Sequence, residues 1–567
     1  MSLREEVENL LIKNSVSIDL ARDRVVARHV LPSNYLQLLG DNKAACERRL
    51  RTQLKKLATR PKEEQEQVKA SINKLITRGF VSTEQEFTAL ERAIVDENQT
   101  PYHIPTSIVF KSSSISSPSR VCLDGSAKTN TGYSINDLLP KGGLSLSIGS
   151  LIQNWKAFPI AASGDLANYY CRFALAPEFW PVQKFLWIDD LDPNGVPTTY
   201  YVKTIIYGLK PSGVVCHYGI NKLIEVFDCL RSLTLYVDDA VAGFYSIDEA
   251  KEQVEDIVKT LTRFNLPFKG NDMAVSGIQP PKEIVTEEGD VGINCIKWNP
   301  VTDTFKCNTP MLYLGKSDRG SLATVNICPA DDADGILKWL PERFTLKDLL
   351  SKTASHYDGQ LGLLSGLIAP MRAKIRKIMT SSKDANQQTN WNINISTEDR
   401  AIFAHQAAEI KKVGKFVYTR YPVTDSPIVP NRKGVIICFT DSGEFETVIV
   451  YIGLIQEDGR WCFNLITSKS YLIQDNNSTP KSELQSGAHG ANTTQGVIDH
   501  FKDKLDLTPY LFMDSECCIH WISNGDSLLH IFHRNRVAAI LSVFGQNVYH
   551  IKTRYNIADD ISRMTVC

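Results

Sequence analysis

Apolar residues in the second quarter of the chain come in short runs that stop at acids. Leu233-Thr-Leu-Tyr-Val-Asp-Asp-Ala-Val-Ala-Gly243 alternates as a strand, passes two consecutive carboxylates and becomes a strand again. Neighbouring strand residues point to opposite faces, so Asp238 and Asp239 cannot both point inward along a regular strand. A tight turn at the pair predicts a β-hairpin with both acids at its tip. Ile160 to Asp165 is a second apolar run ending in an acid, with aromatics beyond it. Tyr201 to Gly208 is β-rich, Gly208 to Gly213 makes a turn, and a helical stretch runs to about Leu230. After the hairpin, Val254, Ile257 and Leu261 recur at helical spacing and lead to Phe268-Lys269. This order predicts an α+β layout, with helices packed on one face of an antiparallel sheet.

The same reading places other elements around this centre. Residues 1–95 read as helical. Leu50, Leu54 and Leu57 lie on one helix and Val68, Ile72, Leu75 and Ile76 on another, separated at Pro61 and stopped at Gly79. Lys43 to Arg78 holds eleven Lys/Arg against four Glu, a net of +7. That is either a solvated face or a surface that contacts phosphates. Residues 381–432 are polar and then helical, a tether plus a connecting element. From 433 a new α/β domain is expected. Gly434 to Asp441 is a strand ending in an acid, Glu446 to Leu454 and Trp461 to Ile466 are further strands, and Ser478-Thr-Pro480 opens a helix that carries Glu483. Tyr510 to Asp514 is another strand ending in an acid, and Asn556-Ile-Ala-Asp559-Asp560 precedes or opens a terminal helix.

Composition narrows the partners. The 567 residues suffice for two to four domains, and a formal charge of −1 leaves any nucleic-acid contact to local patches. Thirteen cysteines without a CxxC pair argue for a reducing compartment and against a zinc module. No apolar run has membrane-spanning length, so a soluble intracellular protein is expected. The loop flanked by Lys111 and Arg120 offers cations to offset the charge of a departing pyrophosphate, although either cation alone also reads as a surface residue.

Asp165, Gly208 and Tyr236-Val-Asp-Asp239 resemble, in order and spacing, the successive motifs of a reverse transcriptase palm. The chain is similar to the BEL/Pao class of long-terminal-repeat retrotransposon polyproteins. The similarity rests on Tyr102 to Lys111, Arg120 to Lys128, Ser134 to Asp137, Phe185 to Trp187 and Tyr236 to Asp239. It continues through Trp298 to Phe305, Leu349 to Asp358 and Leu361 to Leu364, departing at Gly125 and at Gly359-Gln360. The C-terminal acids resemble the Asp-Glu-Asp-Asp set of ribonuclease H, with Ile557 where the family has Pro.

The resemblance implies a right-hand polymerase followed by an α/β ribonuclease H-like domain. Residues 96–275 are expected as fingers and palm, 276–380 as palm end and thumb, and 433–567 as the ribonuclease H-like domain. It implies RNA-directed DNA synthesis and removal of RNA from RNA–DNA hybrids, each with two Mg²⁺ ions, for which Mn²⁺ substitutes. Asp165, Asp238 and Asp239 would serve the first reaction, and Asp441, Glu483, Asp514 and Asp559 the second, with Asp560 the other choice for the last ligand. Lys111, Arg120, Tyr170 and Lys269 would meet the nucleotide: Tyr170 as a gate against the 2′-hydroxyl, or else a core aromatic on a strand, and Lys269 near the leaving group. RNA template, DNA primer, hybrid and dNTPs are the expected partners, as monomer or dimer, in cytoplasmic virus-like particles. The chain is expected to be one portion of a larger polyprotein. Three alternatives remain: a domesticated non-catalytic nucleic-acid binder, an aspartic protease using Asp441-Ser-Gly443, and an RNA-templated RNA polymerase.

Overall fold

The computed structural model describes residues 3–110, 119–143, 148–286, 288–293, 296–307, 312–314, 326–355, 362–384, 387–421, 432–455, 458–473, 478–502, 505–524 and 530–562. Lys111, Gly359, Gln360 and Leu361 lie outside them.

The N-terminal segment is not wholly helical. Helix α1 (Leu3–Asn14) leads into a hairpin, β1 (Val16–Asp19) and β2 (Arg24–Ala27), whose second strand pairs in parallel with Ala174–Leu175. Val25 and Val26 are β-branched and the strand alternates buried with half-buried positions, a short pattern that a helical window averages away. The two expected helices follow as α2 (Lys43–Ala58) and α3 (Lys62–Thr77). Leu50, Leu54, Leu57, Val68 and Ile72 face a common core with Phe110 and Val121 of the hairpin β3 (Thr106–Phe110) and β4 (Ser119–Leu123), so the helices pack with the segment expected as fingers.

Helix α4 (Ile148–Ala157) precedes β5 (Ile160–Asp165), and α5 (Ser212–Val226) precedes the hairpin β6 (Leu233–Tyr236) and β7 (Asp239–Phe244). The predicted helix after it is α6 (Ile247–Arg263). It is capped by Ser246 and buries Ala250, Val254, Ile257 and Leu261 on one face. With β8 (Ala274–Val275) the antiparallel palm sheet runs β6-β7-β5-β8. Phe158, the residue just after α4, lies so close to β7 that a Cβ on Gly243 would stand 1.9 Å from its ring, so glycine is the residue that fits there.

A second sheet, β9 (Val291–Ile293), β10 (Ile296–Asn299) and β11 (Thr304–Cys307), is completed far along the chain by β12 (Tyr418–Thr419). Between them stand α7 (Ala333–Trp339), α8 (Leu346–Ser355), α9 (Ser365–Ser381) and α10 (Thr397–Val413). Phe403, Ala404 and Ala407 of α10 share one core with Ile336, Leu349 and Met371, so the helix of the expected connecting segment is packed among the helices expected as the thumb.

The C-terminal domain has β13 (Arg432–Ser442), β14 (Phe445–Ile455), β15 (Trp461–Leu472), α11 (Thr479–Phe501), β16 (Leu505–Met513), α12 (Glu516–Ser523), α13 (Ile531–Phe544), β17 (Val548–His550) and α14 (Ile557–Ser562). Its sheet runs β15-β14-β13-β16-β17, antiparallel in the first three strands and parallel from β13 onward. Helix α11 packs against the centre, where Gly490 sits against Thr440 and Cys438. The fold is α+β, in the arrangement expected of a right-hand polymerase fold followed by an α/β ribonuclease H-like domain. Among the described residues no helix is long and apolar enough to cross a membrane.

Candidate active sites

The palm acids are brought together by strand register. Asp239 opens β7 directly opposite Asp165, the last residue of β5, and Leu166 N–H donates to Asp238 C=O at 2.9 Å. Val237 and Asp238 form a two-residue turn between Tyr236 and Asp239. Val237 has φ +57°, a left-handed conformation that glycine ordinarily supplies at the first turn position of such hairpins. A β-branched residue held there stores strain, which marks the turn as functional ground.

Burial pushes the Asp165 carboxyl up and the charge of Asp238 adds to this, against the Lys269 ammonium that is hydrogen-bonded to its Oδ2. Oδ1 of Asp165 is buried without a hydrogen-bond partner, as suits an oxygen meant for a cation. Lys269, expected near a leaving group, thus sits on the acid itself. Tyr170 occupies a 3-10 turn (Tyr169–Arg172), not a strand, and is half-buried. Its hydroxyl lies 3.9 Å from where a Cβ on Gly213 would be, and its phenol is pushed up by burial, Cys216, Asp238 and Tyr236. Arg120 is exposed on β4 opposite Val109. Of the basic helices, Arg49 is spent on Asp124 (2.8 Å) and Arg60 on Glu64 (2.8 Å), while Lys43, Arg48, Lys55, Lys56, Lys62, Lys74 and Arg78 are exposed.

The C-terminal acids converge more tightly. Asp441, Asp514 and Asp559 each place a carboxylate oxygen within 4.8 Å of the others, a group the palm acids do not match among the described residues. Asp441 is the penultimate residue of β13, Asp514 follows β16 on the neighbouring parallel strand, and Asp559 comes from α14. Burial raises Asp441 to about 6, with Asp514 and Asp559 adding to the rise and the Ser562 hydroxyl opposing it. Three carboxylates this close repel one another unless a cation lies among them, so this donor set fits a hard divalent ion. Glu483, on the first turns of α11, stands beside the group. It is raised by burial and by Asp514, and accepts a hydrogen bond from Ser515. Asp560 is exposed and lies outside the cluster.

Several residues that hold this site carried no sequence signal for the role. Asn556 is buried, and its Nδ2 donates to Thr440 C=O (3.1 Å) and to Asp514 Oδ1 (3.3 Å), while its Oδ1 accepts from Ala558 N–H (3.3 Å). This side-chain turn starts α14 at Ile557. Ser486 of α11 donates to Asp441 C=O (2.9 Å) and Thr447 C=O (3.0 Å), fixing the helix of Glu483 to the strand of Asp441. In the fingers, Asn136 explains its motif by holding Gly208 C=O (2.8 Å) and Lys210 N–H (2.9 Å).

Residues 345–515 match the Pao retrotransposon-like RNaseH-like domain. The match begins at the head of α8 and includes Asp441, Glu483 and Asp514, but neither Asp559 nor the palm acids. No curated protein matches the chain. Among solved structures, the foamy viral protease-reverse transcriptase dRH in complex with double-stranded DNA is similar with a TM-score of 0.50 at 12% identity, over 86% of this chain and 69% of that one. The foamy viral protease-reverse transcriptase with double-stranded DNA gives 0.48 at 12% identity, over 86% and 83%; with an RNA/DNA hybrid it gives 0.44 at 12%, over 85% and 52%. The first of these likenesses concerns the fold alone.

Proposed function

We propose, from a chain that resembles the reverse transcriptase and ribonuclease H region of a Pao-class retrotransposon, that it copies RNA into DNA in the palm and removes the RNA strand of the resulting hybrid in the C-terminal domain. The observation that carries the reading is the presence of two separate carboxylate sites, Asp165 opposite Asp239 at a strained hairpin and Asp441–Asp514–Asp559 at the end of parallel strands.

In the palm, Asp165 and Asp238 would hold the cation, with Asp239 alongside. Lys269 keeps the Asp165 carboxylate charged and oriented until it is displaced, and Arg120 and Lys111 would take the triphosphate of an incoming dNTP. Tyr170 would pack against the sugar and exclude a 2′-hydroxyl. In the C-terminal domain, Asp441, Asp514 and Asp559 would hold the ion with Glu483 at its side, while Ser562, Asn556 and Ser515 fix the carboxylates. Bound at either site, Mg²⁺ would activate the attacking hydroxyl or water and stabilise the leaving oxygen. The exposed lysines and arginines of α2 and α3 supply a salt-sensitive surface for template and primer. The protease reading is disfavoured because Asp441 lies on a mixed sheet packed by helices and shares its site with two other acids. Action in cytoplasmic virus-like particles belongs to the same proposal.

The test crosses two variants with two assays. Asp238→Asn is expected to lower primer extension on an RNA template at least ~100-fold and leave cleavage of a preformed hybrid near wild type; Glu483→Gln should do the reverse. Wild type that neither extends a primer with dNTPs nor cuts hybrid in Mg²⁺ would leave the non-catalytic binder standing. Equal use of NTPs would favour the RNA polymerase alternative.

A further inference from the structure

One of the two edge strands of the C-terminal sheet is β15, and an open edge presents unpaired carbonyls and amides. Here the polymerase covers it. Lys156, in the last turn of α4, is buried, and its ammonium donates to Leu465 C=O at 2.6 Å and reaches Asn464 Oδ1 at 3.5 Å. Asn464 in turn donates to the backbone C=O of Arg420 at 3.2 Å. Arg420, whose side chain has no exposure, grips Asp303 through two bonds of 2.7 and 2.8 Å. It also donates to Trp155 C=O (2.7 Å), Phe158 C=O (2.7 Å) and Pro159 C=O (2.6 Å), immediately before β5 begins. From the thumb, Ser365 and Ser470 hydroxyls bond at 3.1 Å and Arg376 donates to Ile473 C=O at 3.2 Å.

Helix α4 faces both chemistries. Asn154 donates to Thr234 of β6 at 2.7 Å, Phe158 fills the space beside Gly243 of β7, and Ala157 is buried in the C-terminal domain's own core. Two cations buried against backbone carbonyls are poor choices for stability alone, because desolvation of the charge offsets much of the gain. Their bonds are directional, however, and they tie one body to another at a fixed angle.

We propose that α4, Lys156 and Arg420 form a joint that registers the ribonuclease H sheet against β5 and the catalytic hairpin, so that the joint sets where RNA is cut relative to the primer 3′ terminus. Lys156 and Arg420 are positioning residues, distant in role from the carboxylates. The proposal rests on the two-site reading above, and its test keeps the two apart.

Lys156→Met keeps the apolar stem and removes the nitrogen that donates to Leu465 C=O, as ammonium or as neutral amine. Asn464→Ala removes both bonds of the bridging amide and serves as the second variant, should the first not fold. For each, three quantities are compared with wild type: total hybrid cleavage, the distribution of cuts measured from a recessed primer 3′ end, and amide exchange across residues 461–472. Exchange there is expected to quicken by roughly tenfold, and the ratio of the dominant cut to its neighbours to fall roughly threefold or more, as the loss of one directional hydrogen bond implies. Total cleavage should stay within about twofold, because no carboxylate is touched. Unchanged exchange in both variants overturns the joint; faster exchange with an unchanged cut distribution overturns its role in register. A wild-type protein without cleavage defeats the two-site reading instead, while the exchange result still decides whether the joint exists.

Discussion

Asp441 is a carboxylate held among carboxylates, and its energetics follow from that. Its ordinary value of 3.8 is raised to about 6, first by burial and then by Asp514 and Asp559. Between those values the folded protein holds a proton that the unfolded chain has lost, so stability falls as pH rises through the window and the penalty is complete above about 6. Asp441→Asn should therefore stabilise the C-terminal domain at pH 7.5 in the absence of divalent ions, by on the order of 2 kcal/mol, and the advantage should vanish near pH 4. Urea denaturation with and without Mg²⁺ checks this: added Mg²⁺ should raise wild type more than the variant. Tyr170 offers a second test at this scale. It lies half-buried beside Gly213 and within the field of Asp238, where the proposed function would use its ring as the wall against the sugar. Tyr170→Ala should raise ribonucleotide over deoxyribonucleotide incorporation about tenfold or more, since exclusion by shape is lost with the ring. An unchanged ratio in single-nucleotide extension would return Tyr170 to the role of a packing residue.

At the scale of the element, the C-terminal site depends on how one short helix is started. Helix α14 places Asp559 because Asn556 accepts from Ala558 N–H and at the same time donates to Thr440 and Asp514, which joins the helix start to two strand ends. Asn556→Ala leaves buried polar groups unpaired and should cost about 1–3 kcal/mol in the C-terminal unfolding transition. Hybrid cleavage should fall well beyond what the stability loss explains, with primer extension unchanged; equal loss of both activities would point to general misfolding instead. The elements themselves were legible in unequal measure. The hairpin at Asp238-Asp239 and the strands ending at Asp165, Asp441 and Asp514 are local patterns of alternation that stop at acids, and the register then follows from the turn. Asn556 and Ser562 were not legible as partners, because an asparagine or serine at a helix end looks alike whether it faces water or a carboxylate. The hairpin Val16–Ala27 was hidden for another reason: two four-residue strands are shorter than the window in which a helical period is judged.

Across the whole molecule, what escaped the sequence is long-range. Nothing in Thr419-Arg420-Tyr421 announces a guanidinium that will be bonded to three carbonyls at the foot of the palm, and nothing near Lys156 announces a strand three hundred residues away. The placement of α10 in the thumb is of the same kind, since its apolar face fits any helical core. The joint carries its own pH dependence. Burial and the Arg420 charge lower Lys156 from its ordinary 10.5 to about 7, with Cys307 acting the other way and Asp303 already committed to Arg420. An undocked lysine keeps its proton until about 10.5, so between the two values the undocked form holds one proton more. Docking therefore strengthens as pH rises above about 7 and is constant and weakest below it. Amide exchange in residues 461–472, corrected for its intrinsic pH dependence, should become more protected from pH 6.5 to 8.5, and the primer-directed cut should sharpen over the same range. Lys156→Met has no proton to lose and should show neither trend. A slope that persists in Lys156→Met would place the titrating group elsewhere.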